Sequence, residues 1–295
     1  MNDYILSCWS TADLTRAHFE ARNIRYVCFH YSLNGTQYPD DLGETIPFDK
    51  FYQAMTDGAD TSTSQVNVSE YLAYFTSLLE TGKDVLHISL SSGLSGSVQS
   101  ARTAAEMARE QFPDRKLYVV DSLAASSGFG LLMDKLADLR DEGFTIDQLK
   151  DWAEANKKRL SHWFFSTDLT FYVKGGRVSK AAGVMGGILN ICPLLNMDHE
   201  GHLTVRKKVM GKKKVLSEIL ARMVETADNR TDYSDKCYIC HSACYEDARA
   251  LADAVEATFP KLNGKVEIYS IGTTIGSHTG PGTVALFFWG DERVN

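Results

Sequence analysis

The feature that most restricts the fold is an alternation of two hydrophobic periodicities through the first half of the chain. Residues 4–7, 26–33, 85–90 and 117–120 read as strands, and 48–56, 68–81, 98–111 and 126–142 read as helices. Strand and helix in turn predict a mainly parallel sheet covered on both faces, because parallel strands need crossover connections and helices supply them. Loops at the carboxyl ends of such strands are where ligands bind. Three hydroxyl-rich segments fall at those ends: Ser10-Thr11, Ser91 to Ser97, and Ser122.

The pattern changes after a charged helix expected over 143–160. A strand follows at 163–166, then a hairpin over 194–210 turning at 198–201. Helices are expected at 212–228 and 246–258, with closing strands at 266–271 and 283–288. The expected fold class is α/β with two domains. Residues 1–160 form an N-terminal, mainly parallel sheet with flanking helices, and 161–295 a C-terminal mixed α/β domain with antiparallel strands.

Composition narrows the function classes. The net charge of −7 excludes the broad basic face of a general nucleic-acid binder. No apolar run reaches the length of a membrane span, and the N-terminus lacks a secretory signal, so a cytoplasmic location is expected. Six cysteines over 295 residues do not make a disulfide scaffold. Cys237-Tyr238-Ile239-Cys240-His241 has the spacing of a haem-attachment or metal motif, but it reads as a buried strand that points the two cysteines to opposite faces. Neither metal nor cofactor is expected. Arg206-Lys207-Lys208 and Lys212-Lys213-Lys214 fit a lysine-protected sheet edge, and alternatively a docking patch for an acidic partner.

Several segments carry candidate binding chemistry. Ile275-Gly276-Ser277-His278-Thr279-Gly280-Pro281-Gly282 lies between the closing strands, so a lone histidine sits in a glycine-lined loop. That fits a tight turn with a solvated ring and equally a ligand-facing loop. Ser91-Ser92-Gly93-Leu94-Ser95-Gly96-Ser97 joins a strand to a helix. Helix capping needs one serine, so the surplus hydroxyls and glycines point to an anion site at the helix start. Thr61-Ser62-Thr63-Ser64-Gln65 adds a second wall of hydroxyls. Arg177, in Lys174-Gly175-Gly176-Arg177, fits either a ligand acid group or an interdomain salt bridge. Residues 181–191 mix small and large apolar side chains, as a close-packed core helix or a cavity lining would. A serine hydrolase or acyltransferase could be drawn from Ser95, His278 and Asp121, but Ser95 has no Gly-x-Ser-x-Gly elbow around it. A Walker-type phosphate loop is also absent.

These motifs, in this order, resemble the DegV family of bacterial fatty-acid-binding proteins, the acyl-carrying subunits of the fatty acid kinase system. The resemblance runs through Ser10-Thr11-Ala12-Asp13-Leu14, Thr63-Ser64-Gln65, Ser91 to Ala101, Val120-Asp121-Ser122, Lys174 to Ser179, and Gly276 to Gly282. Trp9 and Val66 depart from the family pattern, which usually has Asp and Pro at those places. The resemblance implies a long-chain fatty acid such as palmitate held between two domains, with a separate kinase acting on its carboxylate and no catalysis by this chain. It implies carboxylate contacts from Thr63 and Ser95, with His278 and Arg177 close by. Ser64, Ser92, Gly96, Ser122 and Gly280 would support the head-group pocket. The acyl chain would lie against Val184, Met185, Ile188, Leu189 and Phe287, with Phe288 a further candidate.

Overall fold

Two β-sheets face each other across one buried helix. The structure, a computed structural model, describes residues 4–183 and 190–294. Strands are numbered in chain order: β1 (Tyr4–Trp9), β2 (Ile24–Val27), β3 (His30–Leu33), β4 (Thr36–Pro39), β5 (Thr61–Ser64), β6 (Asp84–Ser89), β7 (Leu117–Asp121), β8 (Leu160–Ser166), β9 (Ile191–Met197), β10 (Leu203–Met210), β11 (Tyr238–His241), β12 (Glu267–Ser270) and β13 (Thr283–Trp289).

The first sheet has the order β2-β1-β6-β7 and is parallel throughout. Its central strand β6 is buried along almost its whole length, as expected where both faces are covered. Helices Val68–Leu79 and Ser97–Gln111 cover one face, and Ser126–Asp141 and Ile146–Asn156 the other. The second sheet runs β10-β9-β8-β13-β11-β12. Every pairing in it is antiparallel except β11 with β12. Helices Lys212–Thr226 and Tyr245–Thr258 cover its far face.

Helix Ser126–Asp141 forms the layer between the sheets, and its sequence explains how. Residues 126–134 are buried without a break, as in a helix packed on every side. Two glycines let it approach both neighbours. A Cβ on Gly128 would stand 2.5 Å from His162 and Phe287 of the second sheet, and one on Gly130 would stand 2.6 Å from the Ala12 carbonyl after β1. The one buried carboxylate on the helix, Asp134, ties the two halves of the chain. It forms an ion pair with Arg22 (2.9 Å) and a hydrogen bond with His18 (3.1 Å) on the first side, and accepts from Lys236 (2.5 Å) and the Tyr238 hydroxyl (3.0 Å) on the second.

Several sequence expectations need correction. The expected strand 26–33 is two strands in different sheets. Phe29 donates its N–H to Ser10 Oγ (3.2 Å) instead of to a ladder, so the chain leaves the parallel sheet there. β3 then joins β4 and β5 in a small antiparallel sheet, order β4-β3-β5, which the sequence reading missed. The helix expected over 143–160 spans only Ile146–Asn156, starting at a Thr145–Gln148 capping box. A short 3-10 turn follows, and Leu160 already belongs to β8. The segment around His278 is not a loop: Thr273–Thr279 is helical. Trp9 and Val66 are both fully buried, with Trp9 packed on Phe29 at 4.8 Å, so both are core side chains. Among the described residues no helix is long and apolar enough to cross a membrane.

Burial raises the pKa of Asp134, but hydrogen bonds from His18 and Lys236 outweigh it and hold the carboxyl below its ordinary value. Its stabilisation is therefore complete above the unfolded carboxylate range and is lost as pH falls through the folded value. Asp134→Asn is expected to cost about 3 kcal/mol near neutral pH, since it leaves half-buried cations short of a partner. Urea unfolding against pH should show the variant with a shallower acid-side loss than the wild type.

Candidate functional site

A cavity of about 710 Å³ opens between the two sheets. Its floor is the inner face of the second sheet. Strand alternation aims His162 and Phe164 of β8, and Thr283, Ala285 and Phe287 of β13, to that side, with Cys240 of β11 beside Ala285. The carboxyl ends of β6 and β7 supply one wall, through Leu90, Ser92 to Gly96, Ala125 and Ser126. The opposite wall is helix Thr273–Thr279. Thr274, Ile275, His278 and Thr279 line the cavity at the spacing of a single helix face. Thr63, Ser64 and Gln65, at the end of β5, complete the rim.

Thr63, Ser95, His278 and Arg177 all line this one cavity, although they come from four separate parts of the chain. Thr63 Oγ1 and His278 Nε2 are 2.8 Å apart. The His278 ring is held tightly: its Nδ1 is buried with no hydrogen-bond partner among the described residues, and a Cβ on Gly175 would come within 2.3 Å of it. Burial first, and then the Arg177 charge, lower the His278 pKa to about 4. The ring is therefore neutral at pH 7. Arg177 is half-buried, and burial lowers its pKa too. Its Nε donates to the Leu94 carbonyl (3.1 Å) and its Nη1 to the Gly175 carbonyl (2.5 Å). The first of these bonds ties Arg177 to the Ser91–Gly96 loop, and its remaining N–H groups are left for a ligand. Ser95 Oγ lies 2.8 Å from Ser97 Oγ at the start of helix Ser97–Gln111.

Ser64, Ser92, Gly96 and Phe287 also line the cavity. Ser122 and Gly280 do not. Ser122 Oγ is spent on the Ala124 N–H (3.0 Å) inside its own turn. Gly280 ends the His278 helix at φ +66°, where a Cβ would collide with Phe171. Phe288 alternates to the opposite face of β13 from Phe287. Val184, Met185, Ile188 and Leu189 lie outside the described residues. Tyr172, Met197, Leu203 and Ile271 line the cavity and were not anticipated. The period-two pattern of β8 and β13 was the signal for His162, Phe164 and Ala285. Nothing local marks the others.

The hydrolase arrangement is not formed. Ser95 pairs with Ser97, His278 pairs with Thr63, and Asp121 Oδ1 accepts the N–H groups of Ser92 (3.2 Å) and Leu123 (3.0 Å). No Ser–His–Asp relay links these three, so Ser95 lacks the base that such a triad would give it. Among the described residues no group of three or more His, Cys, Asp or Glu side chains is placed to hold a metal ion. In the basic run, Lys207 pairs with Glu218 and Lys212 with Asp247 on the same chain, which favours a solvated edge over a docking patch.

Behind the helical wall two carboxylates are buried with no ion pair among the described residues. Asp40 accepts from Thr273 Oγ1 (2.8 Å) and Ser10 Oγ (3.3 Å), while Asp13 accepts from Ser126 Oγ. Burial raises both pKa values, and for Asp13 the neighbouring Asp40 raises it further. This pair clamps the start of the His278 helix to the first sheet.

Comparison with known proteins agrees with this architecture. Residues 10–291 match the DegV family, described as "Uncharacterised protein, DegV family". A DegV domain-containing protein of Clostridium perfringens is 33% identical over 293 residues, covering 99% of each chain. Among solved structures, a DegV family protein from Thermus thermophilus, titled for fatty acid binding, superposes with TM-score 0.85 at 28% identity, over 98% of this chain and 100% of its own. The fatty acid kinase B3 protein of Streptococcus pneumoniae, loaded with linoleic acid, shares the fold with TM-score 0.84 at 22% identity, over 99% and 100%.

The neutrality of His278 is directly measurable. In an NMR titration its ring should stay neutral down to pH 5 and protonate near pH 4. A midpoint near the ordinary 6.5 would mean a ring open to water.

Proposed function

The chain belongs to the DegV family, and on that premise we propose that it is a carrier for a long-chain fatty acid such as palmitate, not an enzyme. The observation that carries this reading is the division of the cavity. Hydroxyls, one neutral imidazole and one arginine gather at the rim, and apolar side chains such as Phe29, Leu90, Phe164, Met197 and Phe287 line the interior. On this reading residues 1–160 and 161–295 are the two domains that hold the ligand between them.

The energetics fit that division. Burying one methylene contributes about 0.8 kcal/mol, so a tail of about fifteen contributes on the order of 10 kcal/mol before the costs of ordering. A carboxylate taken out of water costs several kcal/mol unless its oxygens accept hydrogen bonds. Thr63 and Ser95 supply donors, and Arg177 supplies charge. The neutral His278 ring fixes the Thr63 hydroxyl through Nε2. The tail drives affinity, while the rim removes the penalty and orients the head. The acyl head then stays near the exposed residues Ser64, Gln65 and Gly96, within reach of a second protein. We read that protein as a separate fatty acid kinase that phosphorylates the carboxylate, as the name of the pneumococcal protein of the same fold suggests. The expected location is the cytoplasm, where such a kinase has ATP.

Solvent extraction of the purified protein, followed by mass spectrometry, is expected to release a fatty acid with a chain of roughly fifteen methylenes. Absence of lipid, together with no binding of added palmitate, would refute the reading. Thr63→Ala and Ser95→Ala are each expected to weaken palmitate binding by about 1–3 kcal/mol, the cost of an unsatisfied buried oxygen. Ala285→Trp, which fills the floor without touching the rim, should abolish tail binding while leaving the melting temperature near wild type.

A further inference from the structure

The floor of the cavity has a rim end and a far end. The ladder of β8 with β13 sets Thr283 against Ser166, Ala285 against Phe164, Phe287 against His162 and Trp289 against Leu160, all on one face. The Thr283 row is the rim end. Tyr172 Oη lies 3.0 Å from Thr283 Oγ1, and the helix that carries Tyr172 runs on to Gly175, packed on the His278 ring, and to Arg177. The Phe287 row is the far end. Met197, the residue after the Asn196–Trp163 pair, extends it across β9, and Leu203, opposite Met197, extends it across β10. All four residues of this row line the cavity. Leu160 and Trp289, one row further, do not, and there Trp152 packs on Trp289 at 5.4 Å.

Three side chains of that row are apolar. The fourth, His162, is an imidazole only 3% exposed, and it is fixed from several directions. Its Nε2 accepts the Ala125 N–H (3.3 Å), so the proton sits on Nδ1, which donates to the Leu160 carbonyl (3.1 Å). Burial, and then the Arg293 charge, hold its pKa well below the ordinary value, so the ring is neutral. Phe287 meets it edge-on, at 5.1 Å and 82°. A Cβ on Gly128 would stand 2.5 Å from either ring, so helix Ser126–Asp141 backs both. A methionine at this place could change rotamer and make room. The histidine can do so only by giving up two backbone hydrogen bonds. With both nitrogens spent, it presents a flat, rigid wall with no free donor or acceptor. Four residues of strand separate Thr283 from Phe287, about 13 Å. A tail of about fifteen carbon–carbon bonds of about 1.5 Å each is longer than that even as a zigzag, so its end reaches the row.

We propose that His162, with Phe287 beside it, is the stop that sets how long an acyl chain this cavity accepts. This rests on the fatty-acid reading. Methylenes up to the stop are buried and add to affinity. Carbon beyond it must displace a ring that is bonded on two sides and backed by a helix, and overpacking of that kind is unfavourable.

The test is the Kd of the delipidated full chain for a series of straight-chain saturated fatty acids of increasing length. Wild-type affinity should climb with length and then fall past one limiting length. In His162→Ala, affinity for the acid two carbons past that limit, relative to the acid at the limit, should rise by at least about tenfold, as burial of two more methylenes predicts. Phe287→Val lowers the same row without touching the histidine's hydrogen bonds, and should raise the same ratio by at least about threefold. An unchanged ratio in Phe287→Val, or an affinity lost equally at every length in His162→Ala, would overturn the stop, since a ring that only holds the fold has no preference for tail length. Wild-type protein that binds none of the acids would instead sink the carrier reading itself.

Discussion

The close contact of helix Ser126–Asp141 with both sheets is the constraint on which the rest depends. Gly128 admits His162 and Phe287 on one side, and Gly130 admits the Ala12 carbonyl on the other. A methyl group at either place would push a whole sheet away, since close-packed interiors transmit such strain. Asp134 then fixes the spacing with cations from both halves. Ser126, the first residue of this helix, lines the cavity, and the rest of the helix packs against both sheets.

That geometry also decides what the cavity can hold. The floor comes from a sheet face, where alternation brings Phe164, Ala285 and Phe287 to the cavity together with His162 and Thr283. The rim comes from the carboxyl ends of the parallel strands, where the chain turns and hydroxyls accumulate. Charge is arranged around this boundary. Arg177 is the one lysine or arginine among the described residues lining the cavity, while the acids Asp13 and Asp40 lie behind the helical wall. His278 is kept neutral by burial and by Arg177. A neutral imidazole bonded to a threonine hydroxyl organises donors without adding charge. That suits a site whose occupant is itself an anion.

Much of this was legible in the chain. Strong periodic segments such as 48–56, 97–111 and 126–141 declare themselves because burial on one face, or on all faces, writes a repeat into the sequence. The serine and threonine clusters were also readable, since capping alone does not call for so many hydroxyls. Segments whose form depends on distant partners were misread. Thr273–Thr279 looks like a glycine loop, yet it is helical because Gly276 lies under the Tyr52 hydroxyl and Asp40 holds Thr273. Residues 26–33 look like one strand, yet they divide where Ser10 takes the Phe29 N–H. Ser122 resembles a site residue in composition but is consumed by its own turn.

By itself the sequence determined the α/β class, the parallel first sheet, the antiparallel second one and the residue types of the rim. These follow from local periodicity and from the chemistry of short motifs. Only the tertiary structure decided which candidates share a cavity, that His278 is neutral and braced, and that Arg177 also donates to the Leu94 and Gly175 carbonyls. It alone brought Cys240, Tyr172 and Met197 to the same space. Burial, a pKa and a shared cavity are properties of neighbours separated by up to hundreds of residues, and no local pattern encodes them.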